Sequence, residues 1–280
     1  MGRGTGFGKH PSALALAGEF AYRARVTKID LNRIWDDARA MAAANAELLA
    51  VLAGMFVMLP MIVSLQLIDG GAPAQPAPPP PETMKALLDF YMRQMSAHWP
   101  VLLGRELIAG FGMLTMLVLL LRESRPTVGE SLRLALLLLP GYVLAEVMEG
   151  ALLVVAFMAF VVPFFYVLAR LLLIPSVAAA QGQTNPVELI GRSFALTRGN
   201  GWRILLMLAV LFLVTQLALY VLVLIVSILG GLFLPAELAR FAEHVAVGIM
   251  AALVAVASAL LTAAVYRATA ALNDPRLSPR

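Results

Sequence analysis

The chain has 280 residues, of which 61% are hydrophobic and 14% are charged, and its mean hydropathy is +0.85. Soluble domains have about 25% charged residues, so this composition excludes an ordinary soluble globule and predicts a membrane protein. The absence of cysteine excludes disulfides, thiolate zinc sites, iron–sulfur clusters and cysteine nucleophiles. The net charge of +4 matches the surplus of Lys and Arg in the cytoplasmic segments of membrane proteins, so nucleic acid is not an expected partner.

Six apolar stretches of membrane-spanning length follow one another along the chain. A helix needs about 20 residues to cross a bilayer, and each stretch is near that length. The sequence therefore predicts an all-α fold, a polytopic six-helix transmembrane bundle with cytoplasmic and outer interfacial amphipathic helices. The predicted spans cover approximately residues 47–68, 101–121, 132–148, 151–174, 204–229 and 245–271.

The spans are expected to form a single membrane domain over residues 29–272. A flexible, glycine-rich tail is predicted at residues 1–28 and a short C-terminal tail at residues 273–280. The proline-rich stretch at residues 70–81 favours an extended polyproline conformation outside the membrane.

Three features inside the apolar stretches predict changes of direction. Pro60 predicts a kink in the first span. Glu146, Glu149 and Gly150 interrupt an apolar run that is too long for one span, so we predict a tight turn between the third and fourth spans at this point. Pro163, in the fourth span, could mark a bend or a gate.

Three segments outside the spans have amphipathic patterns. Residues 29–44 and 82–99 predict surface helices before the first and second spans. Residues 185–197 predict a cytoplasmic helix with Asn185 as its N-cap and a Pro and a Glu in its first turn. Gly199 is expected to end this helix, whose apolar side chains could rest on the membrane surface.

The distribution of basic residues predicts the orientation. Seventeen of the 21 Lys and Arg residues fall in the two ends of the chain and in the segments after the second and fourth spans. The positive-inside rule therefore predicts a multi-pass protein of the bacterial cytoplasmic (inner) membrane with both termini in the cytoplasm.

Polar side chains inside the predicted spans are the candidate functional residues, because they are costly in a bilayer. They are Arg105, Glu106, Glu146, Glu149 and Gln216. Arg105 could pair with Glu146, either to fix helix packing or as part of a substrate or ion site. Gln216 could bond a neighbouring helix or lie on a substrate path.

Other patterns concern packing and partners. Ala251, Ala255, Ala259 and Ala263 recur every four residues in the sixth span, and this ridge could pack inside the bundle or form a homo-oligomer. The Arg-rich helix at residues 185–197 could bind anionic lipid headgroups or another membrane protein. The three histidines show no metal-ligand spacing, so neither a metal nor a cofactor is expected.

One stretch resembles a known family. Residues 169–212, ARLLLIPSVAAAQGQTNPVELIGRSFALTRGNGWRILLMLAVLF, are similar to a bacterial family of six-span inner-membrane proteins of uncharacterised activity. The family includes the YciC-like proteins and the membrane domains fused to some glycerophosphodiester phosphodiesterases. The residues that carry the resemblance are Arg170, Pro175, Arg192, Ser193, Phe194, Leu196, Thr197, Gly199, Asn200, Trp202 and Arg203.

The phosphodiesterase activity in the family name belongs to a barrel domain with catalytic histidines and metal-binding carboxylates. This chain has neither the motif nor a strand-and-helix region to build such a barrel, so it is not expected to be an enzyme. We therefore favour a non-enzymatic role in scaffolding, assembly or envelope homeostasis. A small-molecule or lipid transporter that uses the intramembrane polar residues is the alternative, and an enzyme acting on lipid headgroups is a third possibility.

Overall fold

The computed structural model describes residues 28–69 and 84–273, and within these residues all regular structure is helical. Six helical segments are long and apolar enough to cross a membrane, which confirms an all-α bundle of a multi-pass membrane protein. The predicted tails lie, apart from Lys28 and Asn273, outside the described residues. The proline-rich stretch also lies outside them.

The first span is one continuous rod. Asp30 caps α1 (Leu31–Ala53) by accepting a 3.0 Å hydrogen bond from the Asn32 amide. A π-helical turn at Gly54–Met58 joins α1 to α2 (Leu59–Asp69). The amphipathic segment predicted at residues 29–44 is thus the first half of this rod rather than a separate helix.

The π-helical turn ends directly before Leu59 and Pro60, where the sequence predicts a kink. Proline has no N–H to donate, and it follows directly on a turn in which the Leu59 amide bonds the Gly54 carbonyl, five residues back. The turn packs closely on two glycines of other spans. A Cβ atom on Gly112 would lie 2.5 Å from Cβ of Phe56, and one on Gly248 would lie 3.2 Å from the Met58 carbonyl oxygen.

The second span is α3 (Met84–Leu121), which passes through Pro100 without ending. The surface helix predicted at residues 82–99 is therefore wrong as a separate element, because it continues into the span. In hydrocarbon every unpaired backbone group is costly, and this favours one long helix over two with frayed ends.

The turn predicted between the third and fourth spans is also in the wrong place. Helix α4 (Val128–Ala159) runs through Glu146, Glu149 and Gly150 and ends only at Phe160, whose φ of 174° is extended. A single glycine costs a helix about 1 kcal/mol, less than breaking it inside a membrane would cost. At its other end, Thr127 and Glu130 form a capping box.

The fourth span has two parts, α5 (Val161–Leu171) and α6 (Ile174–Gln181). Pro163 lies in the first turn of α5, directly after the break at Phe160, where no intrahelical N–H bond is needed. The single charged residue of this span, Arg170, lies in the last turn of α5.

The short helix α7 (Pro186–Leu196) begins as the sequence predicts. The Asn185 side chain accepts a 3.0 Å bond from the Val187 amide, and Glu188 reaches back to Gln183. Gly199 follows the helix with a φ of +78°, in the left-handed region that favours glycine. The buried side chains of α7 face other helices rather than a membrane surface.

The last two spans, α8 (Gly201–Phe233) and α9 (Ala236–Asn273), form a hairpin. Helix α9 also packs on the first span and on α3, whereas α8 packs mainly on α9 and α5. Two of the four alanines of the ridge on α9, Ala259 and Ala263, are fully buried, whereas Ala251 and Ala255 are half-buried.

The core lies toward one end of the bundle. Its fully buried residues come from the second half of α3, from α6 and from the last third of α9, for example Leu117, Val177 and Ala263. We call this the basic end, because Arg122, Arg203 and Arg267 lie there.

Candidate functional site

A cavity of about 440 Å³, open on one side, lies among the first, second, third and sixth spans, and Glu106 and Glu146 in its wall are both exposed. Most of its wall is aliphatic, but three polar side chains from two helices line it. They are Glu106 of α3 and Tyr142 and Glu146 of α4. From the alanine ridge of α9, Ala255 contributes to the wall.

The two helices meet closely at this cavity. A Cβ atom on Gly110 would lie 3.2 Å from the Tyr142 ring, so the glycine lets the ring lie flat against α3. Tyr142 is 8% exposed. Since residues four apart share one face of a helix, the Tyr142 hydroxyl interacts with the Glu146 carboxylate one turn further along α4.

The arginine near the cavity does not neutralise Glu146. Arg105 pairs with its neighbour Glu106, at 2.6 Å between Nη2 and Oε1. Its other terminal nitrogen lies 3.7 Å from the sulfur of Met61 in the first span. The predicted pair of Arg105 with Glu146 is therefore wrong, and the cavity keeps an uncompensated carboxylate.

The remaining polar residues of the predicted spans lie elsewhere. Glu149 is half-buried one turn beyond Glu146, close enough for the two carboxylates to interact, but it does not line the cavity. Gln216 lies on the exposed surface of α8 rather than against a neighbouring helix. Thus two of the five candidate residues, Glu106 and Glu146, meet in one site.

The chemistry of this arrangement suits a ligand with an apolar body and a positive charge. Ligand pockets are typically 300–1,000 Å³, mostly apolar, with a few polar groups that fix orientation. An ionised carboxylate can only accept hydrogen bonds. Arg105 already pairs with Glu106, so a bound cation would mainly compensate the charge of Glu146.

The motif at residues 169–212 forms a second cluster, at the basic end. Arg170 of α5 donates to the Tyr166 hydroxyl at 3.0 Å and to the Phe194 carbonyl of α7. Its guanidinium lies 5.2 Å from the centre of the Phe194 ring. The Arg170 carbonyl in turn accepts a 2.7 Å bond from the Ser193 hydroxyl.

The same cluster fixes the start of α8. A Cβ atom on Gly201 would lie 2.9 Å from the Tyr166 ring, and Trp202 contacts that ring at 5.8 Å between centroids. Asn200, which is buried, accepts a 3.0 Å bond from the amide of Ile29. Arg203 donates to the carbonyl of the same residue, Ile29.

Two further arginines bind backbone carbonyls near helix ends. Arg122 donates to the Ala179 carbonyl at 2.8 Å, and Arg267 donates to the Leu120 carbonyl at 2.7 Å. The last carbonyls of a helix have no intrahelical partner and carry the negative end of its dipole, so a cation stabilises them. Together with the bond from Arg170 to Phe194, these contacts show a structural role for the basic end.

The other motif residues have simpler roles. Pro175 lies in the first turn of α6, where a proline fits without loss of a hydrogen bond. Arg192 and Arg198 are exposed, so they remain accessible to a partner.

Sequence reasoning missed Tyr142 and the contacts of Ile29. Tyr142 could have been found from the sequence, because it precedes Glu146 by four residues and therefore shares a helix face with it. Ile29 had no such signal, since its partners lie 171 and 174 residues further along the chain.

Within residues 28–69 and 84–273, no group of three or more His, Asp or Glu side chains is arranged to hold a metal ion. No protein-family model matches this chain, and no curated protein or solved structure is significantly similar to it.

Proposed function

We propose that this protein is a membrane carrier or transporter for a small amphipathic cation, which binds in the cavity beside Glu106 and Glu146. The observation that carries the proposal is the position of two carboxylates in a largely aliphatic cavity between four spans. Ionisable groups inside membrane domains mark substrate and ion pathways more often than not.

Binding of a lipophilic cation tests the proposal. We expect tritiated tetraphenylphosphonium, whose charge does not depend on pH, to bind the purified protein in lipid nanodiscs with saturation. Glu146→Gln keeps the shape of the side chain but removes its charge, so it should weaken binding at least about tenfold, which is about 1.4 kcal/mol. Equilibrium dialysis measures the binding of the cation to the wild-type protein and to this variant.

Two controls distinguish the effect of the ligand's charge from that of its hydrophobicity and from a general effect of losing a carboxylate. Tetraphenylborate has the same shape and the opposite charge, so it should not compete. Glu237→Gln makes the same chemical change on the exposed first turn of α9 and should leave binding unchanged. Binding that is insensitive to Glu146→Gln, or equal competition by the borate, would contradict the proposal.

A non-enzymatic role in scaffolding, assembly or envelope homeostasis is the second candidate. Its support is the exposure of Arg192 and Arg198 beside the tightly bonded α5–α7 cluster, a rigid surface for anionic lipid headgroups or a partner protein. This role needs neither a cofactor nor a catalytic residue, and the expectation that the protein is not an enzyme remains a prediction.

We further propose that the protein lies in the bacterial cytoplasmic membrane with both termini in the cytoplasm. Arg122, Arg203 and Arg267 share one end of the bundle, which supports that orientation under the positive-inside rule. A fluorescent protein fused after Arg280 should fluoresce, and alkaline phosphatase inserted after Phe233 should be active. The reverse pattern at both positions would contradict the orientation.

A further inference from the structure

One face of α8 packs against α5 near the start of α8, and this face, the packing stripe, continues beyond the end of α5. Helix α5 meets the first turn of α8, where Tyr166 contacts Gly201 and Trp202. Because α5 begins at Val161, only five residues before Tyr166, it extends about 8 Å past this contact. Helix α8 has 33 residues and is about 50 Å long, so most of this stripe has no neighbour among the described elements.

The uncovered part of the stripe carries the exposed polar side chains of α8. We define the α8 seam as Ala209, Phe212, Gln216, Tyr220 and Ser227, which are spaced by three, four, four and seven residues and are all exposed. This spacing places them on one face of the helix.

The opposite flank of α8 differs in chemistry. It is equally exposed but purely aliphatic, with Val210, Val214, Val221, Ile225 and Leu232. The seam differs from this flank in carrying the polar groups of Gln216, Tyr220 and Ser227.

Gln216 is the residue of the seam that most needs a partner. It lies 15 residues from Gly201 and 17 from Phe233, near the middle of the span. Its amide makes no hydrogen bond within the described residues. An amide without a hydrogen bond in hydrocarbon costs several kcal/mol on water-to-alkane scales, and lipid chains offer it no donor or acceptor.

We propose that the α8 seam binds the same seam of a second copy of this chain, in a two-fold symmetric dimer held by Gln216 against Gln216. A primary amide both donates and accepts, so it is complementary to itself across a two-fold axis. The seam has no charged residue to oppose such contact, and the small Ala209 and Ser227 let the two helices approach closely. This proposal does not depend on the ligand of the acidic cavity, which α8 does not line.

Disulfide trapping tests the interface directly, because the chain has no cysteine of its own. Phe212→Cys and Tyr220→Cys place a thiol in the seam, whereas Val214→Cys and Val221→Cys place one on the aliphatic flank. On oxidation in native membranes, we expect covalent dimers from the two seam variants only. Dimers from the flank variants, or none from the seam variants, would overturn the proposal.

A second measurement addresses the amide itself. Gln216→Leu should raise the dissociation constant of the dimer in lipid about tenfold, whereas Gln216→Asn, which keeps an amide, should largely preserve it. Val214→Leu, on the aliphatic flank, should change nothing. A wild-type protein that is monomeric in nanodiscs, or a dimer unaffected by Gln216→Leu, would overturn the role of Gln216. If Gln216→Leu fails to fold, the disulfide pattern of the cysteine variants still tests the interface.

Discussion

Replacing Gly141 by alanine should destabilise the protein more than any other single methyl group added to α4. A Cβ atom at this position would lie 2.0 Å from the carbonyl oxygen of Thr184 and 2.8 Å from its Cα. These are backbone atoms, so no rotamer change relieves the clash and the segment between α6 and α7 must move. We expect a loss of at least about 3 kcal/mol in the free energy of unfolding, the upper part of the range for overpacking.

Titration with SDS from a mild detergent measures this loss. Gly150→Ala is the matched control, because it adds the same methyl group to the same helix where nothing lies within 4 Å. Alanine is a better helix former than glycine by about 1 kcal/mol, so this control should be neutral or slightly stabilising. Equal behaviour of the two variants would show that Thr184 does not lie against Gly141.

Arg170→Lys should also be strongly destabilising, although it keeps the positive charge. Arg170 bonds Tyr166 and Phe194 at the same time, through two nitrogens of one planar group. Lysine has no such fork, it is a compact point charge, and it stacks poorly on the two rings that flank the guanidinium. We expect a loss of about 3 kcal/mol, near that for removing one partner of a buried charged contact.

The measurement is again unfolding in SDS, with the fluorescence of Trp202 as a local probe because its ring contacts Tyr166. Arg192→Lys, an exposed position on α7, is the control and should change stability by less than about 0.5 kcal/mol. If Arg170→Lys were as mild as this control, the bonds to α7 would not contribute to stability.

The spans could be predicted from the sequence because their signal is length and hydropathy, but the ends of α4 could not. Glu146, Glu149 and Gly150 form the most polar point of a long apolar run, and a turn was the natural interpretation. The true turn is at Phe160, among residues that look alike in hydropathy. Carboxylates on one face of a helix do not interrupt its backbone bonds, so polarity alone does not locate a turn.

The site was predictable only in part, for a related reason. Hydropathy marks a polar residue inside a span but does not say which way it faces. Glu106 and Glu146 face a cavity, whereas Gln216 faces out of the bundle. Arg105 pairs with the adjacent Glu106 rather than with Glu146 of α4, and hydropathy carries no information on this choice. The contacts of Ile29 depend on chain segments far apart, which no local pattern reveals.

The π-helical turn at Gly54–Met58 has a consequence for how this chain tolerates changes in length. A π turn holds about one residue more than an α turn, while the helix on each side keeps its own pattern of bonds. Removing one residue there leaves an ordinary α-helix whose two halves still present the same faces. Removing one residue from the α-helical part before Ile62 turns one half of the rod against the other by about 100° and takes Ile62 and Ser64, or the buried side chains of α1, away from their neighbours. The turn is thus the position in this part of the first span that best absorbs a single-residue deletion.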